Sequence, residues 1–325
     1  FYRKWKAKFG GSNGGNLKVR DCYNHVASTE DIKPEIFFSP ETVWNDFPGN
    51  HWLDLRSHAL SKWEMHEGDV CFFSGGDWRI LDKDQRKHPP VPIINIAQPR
   101  HVRPEDPRHR FLSHPAIRIV KSENGARILE NHGVNGPIYV VPDAIDLGIL
   151  PKIEKKDIDV LVIGLKQPQL AQKVYESLVS WSDENQYNYR IEVQLPPKLP
   201  TRLDFLSLLG RAKIAVCIPL SAEKGEEGFY LTPLEAMSMQ TMEITSHAIG
   251  NVDHCIDGQN CMVCPVGKEE YVEAAKGALL MADSDRQAYL REGLAMAQNH
   301  SIAEERKKIV EIIRNAYAIW SKYFE

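Results

Sequence analysis

Short apolar runs separated by longer stretches of mixed polarity recur along the whole chain. In the first half they predict strands at 35–39, 69–74, 92–96, 117–121 and 138–141. In the second half they predict strands at 159–164, 190–195, 213–218, 242–245 and 261–264. Stretches with helical spacing, such as 170–180 and 268–282, fill the intervals. Strand and helix in alternation is the pattern of a parallel sheet covered on both faces. The segment PDAIDLGILP, 142–151, breaks the pattern at mid-chain and is the natural hinge. The expected organisation is therefore an N-terminal domain 1–150 and a C-terminal domain 151–305, with a last helix, 306–325, packing back toward the first domain. Ser301-Ile-Ala-Glu304 has the spacing of a capping box and would open one long final helix toward Trp320.

Composition narrows the class. With 325 residues, 42% hydrophobic and 26% charged, the chain has material for about two globular domains. It contains no run of roughly 18 apolar residues, and its opening FYRKWKAKF has no signal-peptide core. The missing initiator Met leads to the expectation of a processed or trimmed chain. Six scattered cysteines fit a reducing compartment better than a disulfide framework, so a cytoplasmic protein is expected, with membrane association at the periphery left open. A net charge of −4 argues against nucleic-acid binding, which needs a basic footprint.

The most informative stretch is 214–265. Alternating apolar residues from Ile214 to Ile218 read as a strand, 219–228 is rich in turn formers, and Thr232-Pro-Leu-Glu235 reads as a helix start. Thr232 would be the N-cap, Pro233 N1 and Glu235 N3. A strand feeding a helix N-terminus through a loop is a favoured anion site, because free N–H groups and the helix dipole point outward together. Glu227 and Glu235 bracket that loop. Both also have a plainer reading: Glu235 could simply close a capping box, and Glu227 could be one of several solvated acids in 223–227.

These residues resemble the retaining GT-B glycosyltransferases of the large family 4 type, related to glycogen and sucrose synthases. The likeness is strongest from Leu206 to Pro265, where E-G-F-x-L-x-x-L-E-A-M is followed by a small-residue strand and a D-G-x-N turn ending in proline. VVPDAIDL (140–147) resembles the family hinge, DVLVIGLK (159–166) the first strand of its nucleotide domain, and GGSNGGNLKV (10–19) the glycine-rich loop of its acceptor domain. The resemblance implies two doubly wound Rossmann-like domains facing a cleft, with a nucleotide-diphosphate sugar bound at the carboxyl ends of the strands. It implies that Glu227 meets sugar hydroxyls, that Glu235 meets the ribose, and that the backbone of Gly228, Phe229, Tyr230, Leu231 and Thr232 meets the diphosphate. The family places Arg after the glycine of this first strand, where the present chain has Leu165 and then Lys166. Lys166 becomes the candidate cation for the leaving diphosphate, with Lys173 and Arg211 as alternates. Gly14, Gly15 and Asn16 are candidates to approach the donor ahead of a helix through Val26. His101 is a candidate for sugar positioning, and Arg100 and Arg103 for phosphate, against a plainer reading as a solvated basic loop.

Other signals carry less. Asp157-Ile-Asp159 resembles a metal-binding D-x-D but opens a strand, and Cys261 and Cys264 with Cys255, His254 and His247 have zinc-like spacing but fall in an apolar strand. No metal or cofactor is expected. Trp44, Trp52, Trp63 and Trp78 read as aromatic core rather than as an acceptor platform. Glu243 interrupts an otherwise apolar strand. The expected activity is retaining, front-face, metal-independent transfer of a sugar from a nucleotide diphosphate to a glycan or lipid-linked acceptor. Two alternatives remain: a GT-B nucleotide-sugar epimerase, and a non-catalytic subunit that binds nucleotide sugar or glycan.

Overall fold

The computed structural model describes residues 1–3, 14–44, 50–220 and 227–325; residues 10–13 of the glycine-rich stretch and the acids at 223–226 lie outside this set. The chain forms two α/β units, one of 1–143 with 303–325, the other of 144–302.

Unit 1 contains β1 (Tyr2–Arg3), α1 (Gly14–Ala27), β2 (Phe37–Phe38), β3 (Cys71–Ser74), α2 (Lys83–Lys87), β4 (Ile93–Ile96), β5 (Ile117–Val120), α3 (Glu123–Asn131) and β6 (Ile138–Val140). Strands β3, β4, β5 and β6 pair in that order, all parallel, and a parallel β1–β2 pair lies beside β3. The strands read as continuous apolar runs because both faces are covered. Asn95 in β4 and Arg118 in β5 are the polar exceptions. Arg118, fully buried, donates to Asn95 Oδ1 at 2.6 Å and to the carbonyls of Phe111, Leu112 and His114. Burial pulls its guanidinium down to about 9. Trp52 and Trp78 are buried in the core of this unit, and Trp44 and Trp63 pack against it, so the tryptophan cluster is core.

Unit 2 contains β7 (Ile158–Ile163), α4 (Pro168–Glu184), β8 (Ile191–Gln194), α5 (Arg202–Arg211), β9 (Ala212–Cys217), α6 (Leu231–Ser238), β10 (Met242–Thr245), β11 (Met262–Val263), α7 (Lys268–Leu280) and α8 (Asp283–Asn299). Its parallel sheet has the order β11-β10-β9-β7-β8. In β7, IDVLVI, all but Asp159 are buried, each such aliphatic side chain contributing roughly 1.5–3 kcal/mol. The connection after β7 leads to β8 on one side, and the connection after the neighbouring β9 leads to β10 on the other. The loops after β7 and β9 therefore diverge at a topological switch point, where such sheets bind ligands.

The chain then returns to unit 1 through α9 (Ile302–Arg314) and α10 (Ala316–Phe324). The expected single long helix is two, broken at Asn315, which caps α10. Glu305, in the first turn of α9, is the centre of a buried ionic knot in unit 1. It accepts from Lys18 of α1 at 2.9 Å, from Lys121 at 3.5 Å, and meets His25 Nε2 at 3.3 Å. Lys121 also pairs with Asp143 at 2.8 Å, and Lys18 with Asp21 at 2.7 Å. The two ammonium groups hold the Glu305 carboxyl well below the ordinary range, and the carboxylates hold both lysines above theirs despite burial.

Candidate functional site

Lys166 follows the end of β7, and Glu227 lies in the loop between β9 and α6, so the switch point of unit 2 brings them together. The Lys166 ammonium donates to Glu227 Oε1. Glu227 is buried and also accepts from the Leu220 N–H at 3.4 Å, whereas Lys166 is exposed. Gly164 just ahead is small because a Cβ there would come within 2.1 Å of the Ala171 Cβ on α4. That close approach brings the start of α4 against the end of β7.

Gly228 and Phe229 form a bend, and the helix begins two residues earlier than the sequence predicts. Leu231 is its first residue and Tyr230 its cap, with no side-chain capping bond. Thr232 is thus inside the first turn and is not the N-cap, and the capping-box reading of Glu235 falls with it. The cause is tertiary. The Tyr230 N–H donates to the Gly250 carbonyl at 3.5 Å, and His254 Nε2 donates to the Tyr230 carbonyl at 3.0 Å. Burial pulls His254 down to about 3, so the ring is neutral and this Nε2–H tautomer follows from the bond. The ring of Phe229 packs on that of His254 at 4.7 Å between centroids. At 250 only glycine fits, since a Cβ would meet the Gly228 carbonyl carbon at 2.4 Å. The loop from 228 to 230 is therefore fixed from behind, and the first-turn N–H groups of α6 have no carbonyl within their own helix.

Glu235, buried on α6, is held by Arg202 Nη2 at 2.9 Å. Arg202 opens α5, and Lys198 lies four residues earlier in the segment after β8. Lys198 is exposed overall, yet its ammonium end is crowded. Desolvation, then Lys166, lower its pKa against the pull of Glu235 and Glu227. Lys198 and Arg202 were invisible to motif reading; the signal available was two basic residues just beyond a strand end in PPKLPTR. The alternates Lys173 and Arg211 have other neighbours. Arg211 is bound to Asp157, ahead of β7 at the opposite end of the strand from Lys166, with its Nε at 2.8 Å, and Lys173 on α4 lies near Glu269. Asp157 is further held by Arg190, and Asp159 by Lys213 at 2.7 Å, which accounts for the D-x-D string as ion pairs. Among the described residues no group of three or more His, Cys, Asp or Glu is placed to hold a metal. Glu243 is wholly buried in β10, where it accepts from the Cys217 thiol at 3.2 Å. Burial raises its pKa well above the ordinary carboxylate range.

In unit 1, Gly15, Asn16, Arg100 and His101 line one pocket of about 460 Å³. Gly14, Gly15 and Asn16 are the first turn of α1, where the sequence reading had them precede the helix. Asn16 Oδ1 accepts from Arg3 at 2.8 Å, and Arg3 pairs with Asp77 at 2.7 Å. Arg103 is not among the residues lining the pocket. His101 is buried, and burial with Arg108 and Arg100 nearby pulls it down to about 3, so its ring is neutral. The Gln98 N–H donates to its Nδ1 at 3.3 Å, which leaves the proton on Nε2, and that atom has no hydrogen-bond partner.

No family model matches the chain. Among curated proteins it has a local similarity to the CCR4-Not complex 3'-5'-exoribonuclease subunit Ccr4 of Neurospora crassa, 30% identical over 71 residues, which is 20% of this chain and 9% of that protein. Solved structures match far more extensively. Sucrose-phosphate synthase from Thermosynechococcus elongatus superposes with a TM-score of 0.66 at 13% identity over 94% of each chain. Anabaena HepE, solved with UDP and glucose, gives 0.63 at 12% identity over 97% of this chain and 99% of its own. The pneumococcal O-GlcNAc transferase GtfA, solved with UDP and GlcNAc, gives 0.55 at 13% identity; 77% of this chain is covered, and it spans 57% of that one. With its two parallel-sheet units of Rossmann-like construction, the chain has the GT-B fold of these glycosyltransferases.

Proposed function

We propose that the protein is a retaining glycosyltransferase that takes a sugar from a nucleotide diphosphate and passes it to a glycan or lipid-linked acceptor. The observation that carries this reading is the Lys166–Glu227 pair at the switch point of unit 2, beside the preset 228–230 loop and the Arg202–Glu235 pair. A diphosphate meets the first-turn N–H groups of α6 and the cations Lys166, Lys198 and Arg202. Glu227 accepts from sugar hydroxyls, and Glu235 from the ribose diol. As the bond from the anomeric carbon to the diphosphate oxygen breaks, the developing negative charge falls where these cations stand, the term that dominates such transfers. The acceptor oxygen forms its bond on the same face, and its proton passes to the departing phosphate oxygen. Side-chain cations supply the charge here, so no metal is required. The solved HepE and GtfA structures hold UDP, which makes UDP-sugars the first donors to try. Among the described residues no helix is long and apolar enough to cross a membrane.

The test is turnover of a panel of nucleotide sugars by the whole chain and by Glu227→Gln, with and without EDTA. Transfer or donor hydrolysis that drops sharply in the variant and ignores EDTA supports the reading. Equal activity in the variant removes the site, and product of inverted anomeric configuration removes the mechanism.

A further inference from the structure

Lys156 stands two residues ahead of β7, at the opposite end of that strand from Lys166. Its ammonium donates to four oxygens: the carbonyls of Gly210 at 2.9 Å, Ala212 at 2.8 Å and Met239 at 3.2 Å, and the Thr241 hydroxyl at 3.0 Å. Gly210 and Ala212 close α5, and Met239 is the C-cap of α6. The last carbonyls of a helix have no N–H partner within it and carry the negative end of its dipole. One ammonium thus serves the C-terminal ends of both helices. Thr241 donates onward to the Leu209 carbonyl at 2.8 Å, a second tie between the same two ends. Gly210 permits the approach, since a Cβ there would come within 2.5 Å of both Met239 and Ile153.

Toward their other ends the same helices carry a pair of the candidate site. Arg202 is the first residue of α5, Glu235 lies on α6, and they meet at 2.9 Å. The start of α6 is held separately, by Gly250 and His254. What Lys156 adds is the placement of α5 against α6. The ten residues of α5 span about 15 Å, so a tilt of about 5° at its C-terminal end moves Arg202 by roughly 1 Å. Misplacement on that scale is enough to spoil a binding geometry. Charged side chains on the elements around Lys156 are engaged elsewhere: Arg211 with Asp157, Asp204 with Thr201, Lys213 with Asp159, Glu235 with Arg202 and Glu243 with Cys217. Burial therefore acts on the ammonium without an opposing carboxylate and lowers it to about 8.

We propose that Lys156 is a positioning residue for the donor site: by tying the C-terminal ends of α5 and α6 together it sets Arg202 against Glu235, and so fixes how the ribose end of the donor is held. The ligand rests on the glycosyltransferase reading; the coupling between helix ends does not.

Two measurements on the full chain test this, calorimetric titration with UDP and amide hydrogen exchange without ligand. In Lys156→Met, which removes the charge and keeps the length, UDP affinity should fall about tenfold, within the range for residues that touch no ligand. Exchange should quicken as far as 202–206, not only at 207–211. Added to Arg202→Ala, Lys156→Met should cost less than about a further twofold, because the pair it positions is already gone. Full UDP affinity in a folded variant with a lowered melting temperature, or losses that multiply in the double variant, overturns the proposal. If the wild-type chain binds no UDP, the glycosyltransferase reading fails, and exchange decides the coupling: quickening that reaches 202–206 upholds it, quickening confined to 207–211 overturns it. Should Lys156→Met not fold, the ammonium can be removed by pH instead. Exchange at 202–206, corrected for intrinsic rate, should rise in the wild-type chain as pH passes about 8 and should not rise in Lys156→Arg, which stays charged. A rise that survives in Lys156→Arg, or none in the wild-type chain, overturns the proposal.

Discussion

Each unit matches buried acids with bases, but the two do so differently. In the knot of unit 1 the cations are as deeply buried as their partner: the side chains of Lys18 and Lys121 are 5% and 6% exposed, against 1% for Glu305. In unit 2 the acids are sheltered while their cations reach water, with Lys166 at 39% and Arg202 at 19%. A buried cation cannot leave its carboxylate without stranding a charge in the interior. A cation with one side in solvent can turn to a ligand and release its acid to bind as well. Burial of the base, rather than the presence of an ion pair, separates the structural cluster from the one suited to chemistry.

Four measurements would break or sharpen that contrast. Glu305→Ala leaves Lys18 and Lys121 short of a buried partner and should cost about 3–5 kcal/mol in denaturant unfolding; a loss no larger than that of a surface pair would dissolve the distinction. The isosteric Glu305→Gln should lose much of the same stability, separating charge from packing. In unit 2, Glu227→Gln should lower kcat/KM by about 10²–10³, with little change in the unfolding midpoint. A variant that unfolds but turns over normally when folded would reverse the roles assigned.

The third concerns pH. Burial pulls His101 and His254 down to about 3 in the folded chain, against an ordinary value of about 6.5 when unfolded. Below 6.5 the unfolded state binds protons that the folded state refuses, so stability falls with pH until about 3 and is flat above 7 for these groups. Near pH 5.5 the loss should be about 1 kcal/mol per histidine, and His254→Asn should remove about half of the slope. A flat stability curve from pH 7 to 5 would show that neither ring is held neutral. The smallest effect belongs to the exposed Arg314–Asp31 pair, 2.8 Å apart with both side chains about half exposed. Arg314→Ala should leave the melting temperature unchanged.

The sheets were legible because fully covered parallel strands must be apolar along their whole length. The expected 242–245 strand is β10 residue for residue, and 159–164 differs from β7 by one residue at each end. Glu227 could be named because it brackets a loop between a strand and a helix start, and Lys166 because its segment resembles the family's first nucleotide-domain strand. Residues whose placement depends on distant backbone were not legible. The start of α6 is fixed by Gly250 and His254, some twenty residues on, so local capping preference put it at the wrong residue. Lys198 and Arg202 reach the site from the segment after β8, and nothing in the order of strands along the sequence says that β8 lies next to β7. Glu305 went unread beside Glu304, the residue of the capping-box pattern, since its partners Lys18 and Lys121 lie 287 and 184 positions away.

That separation bears on how the chain is made. During synthesis from the N-terminus, residues 1–143 emerge first, but Lys18 and Lys121 wait for a carboxylate encoded after the whole of 144–302. Domains usually fold as they appear, N-terminal first. Here unit 2 has its full sequence before unit 1 does, so the first unit to be translated is the last that can be completed.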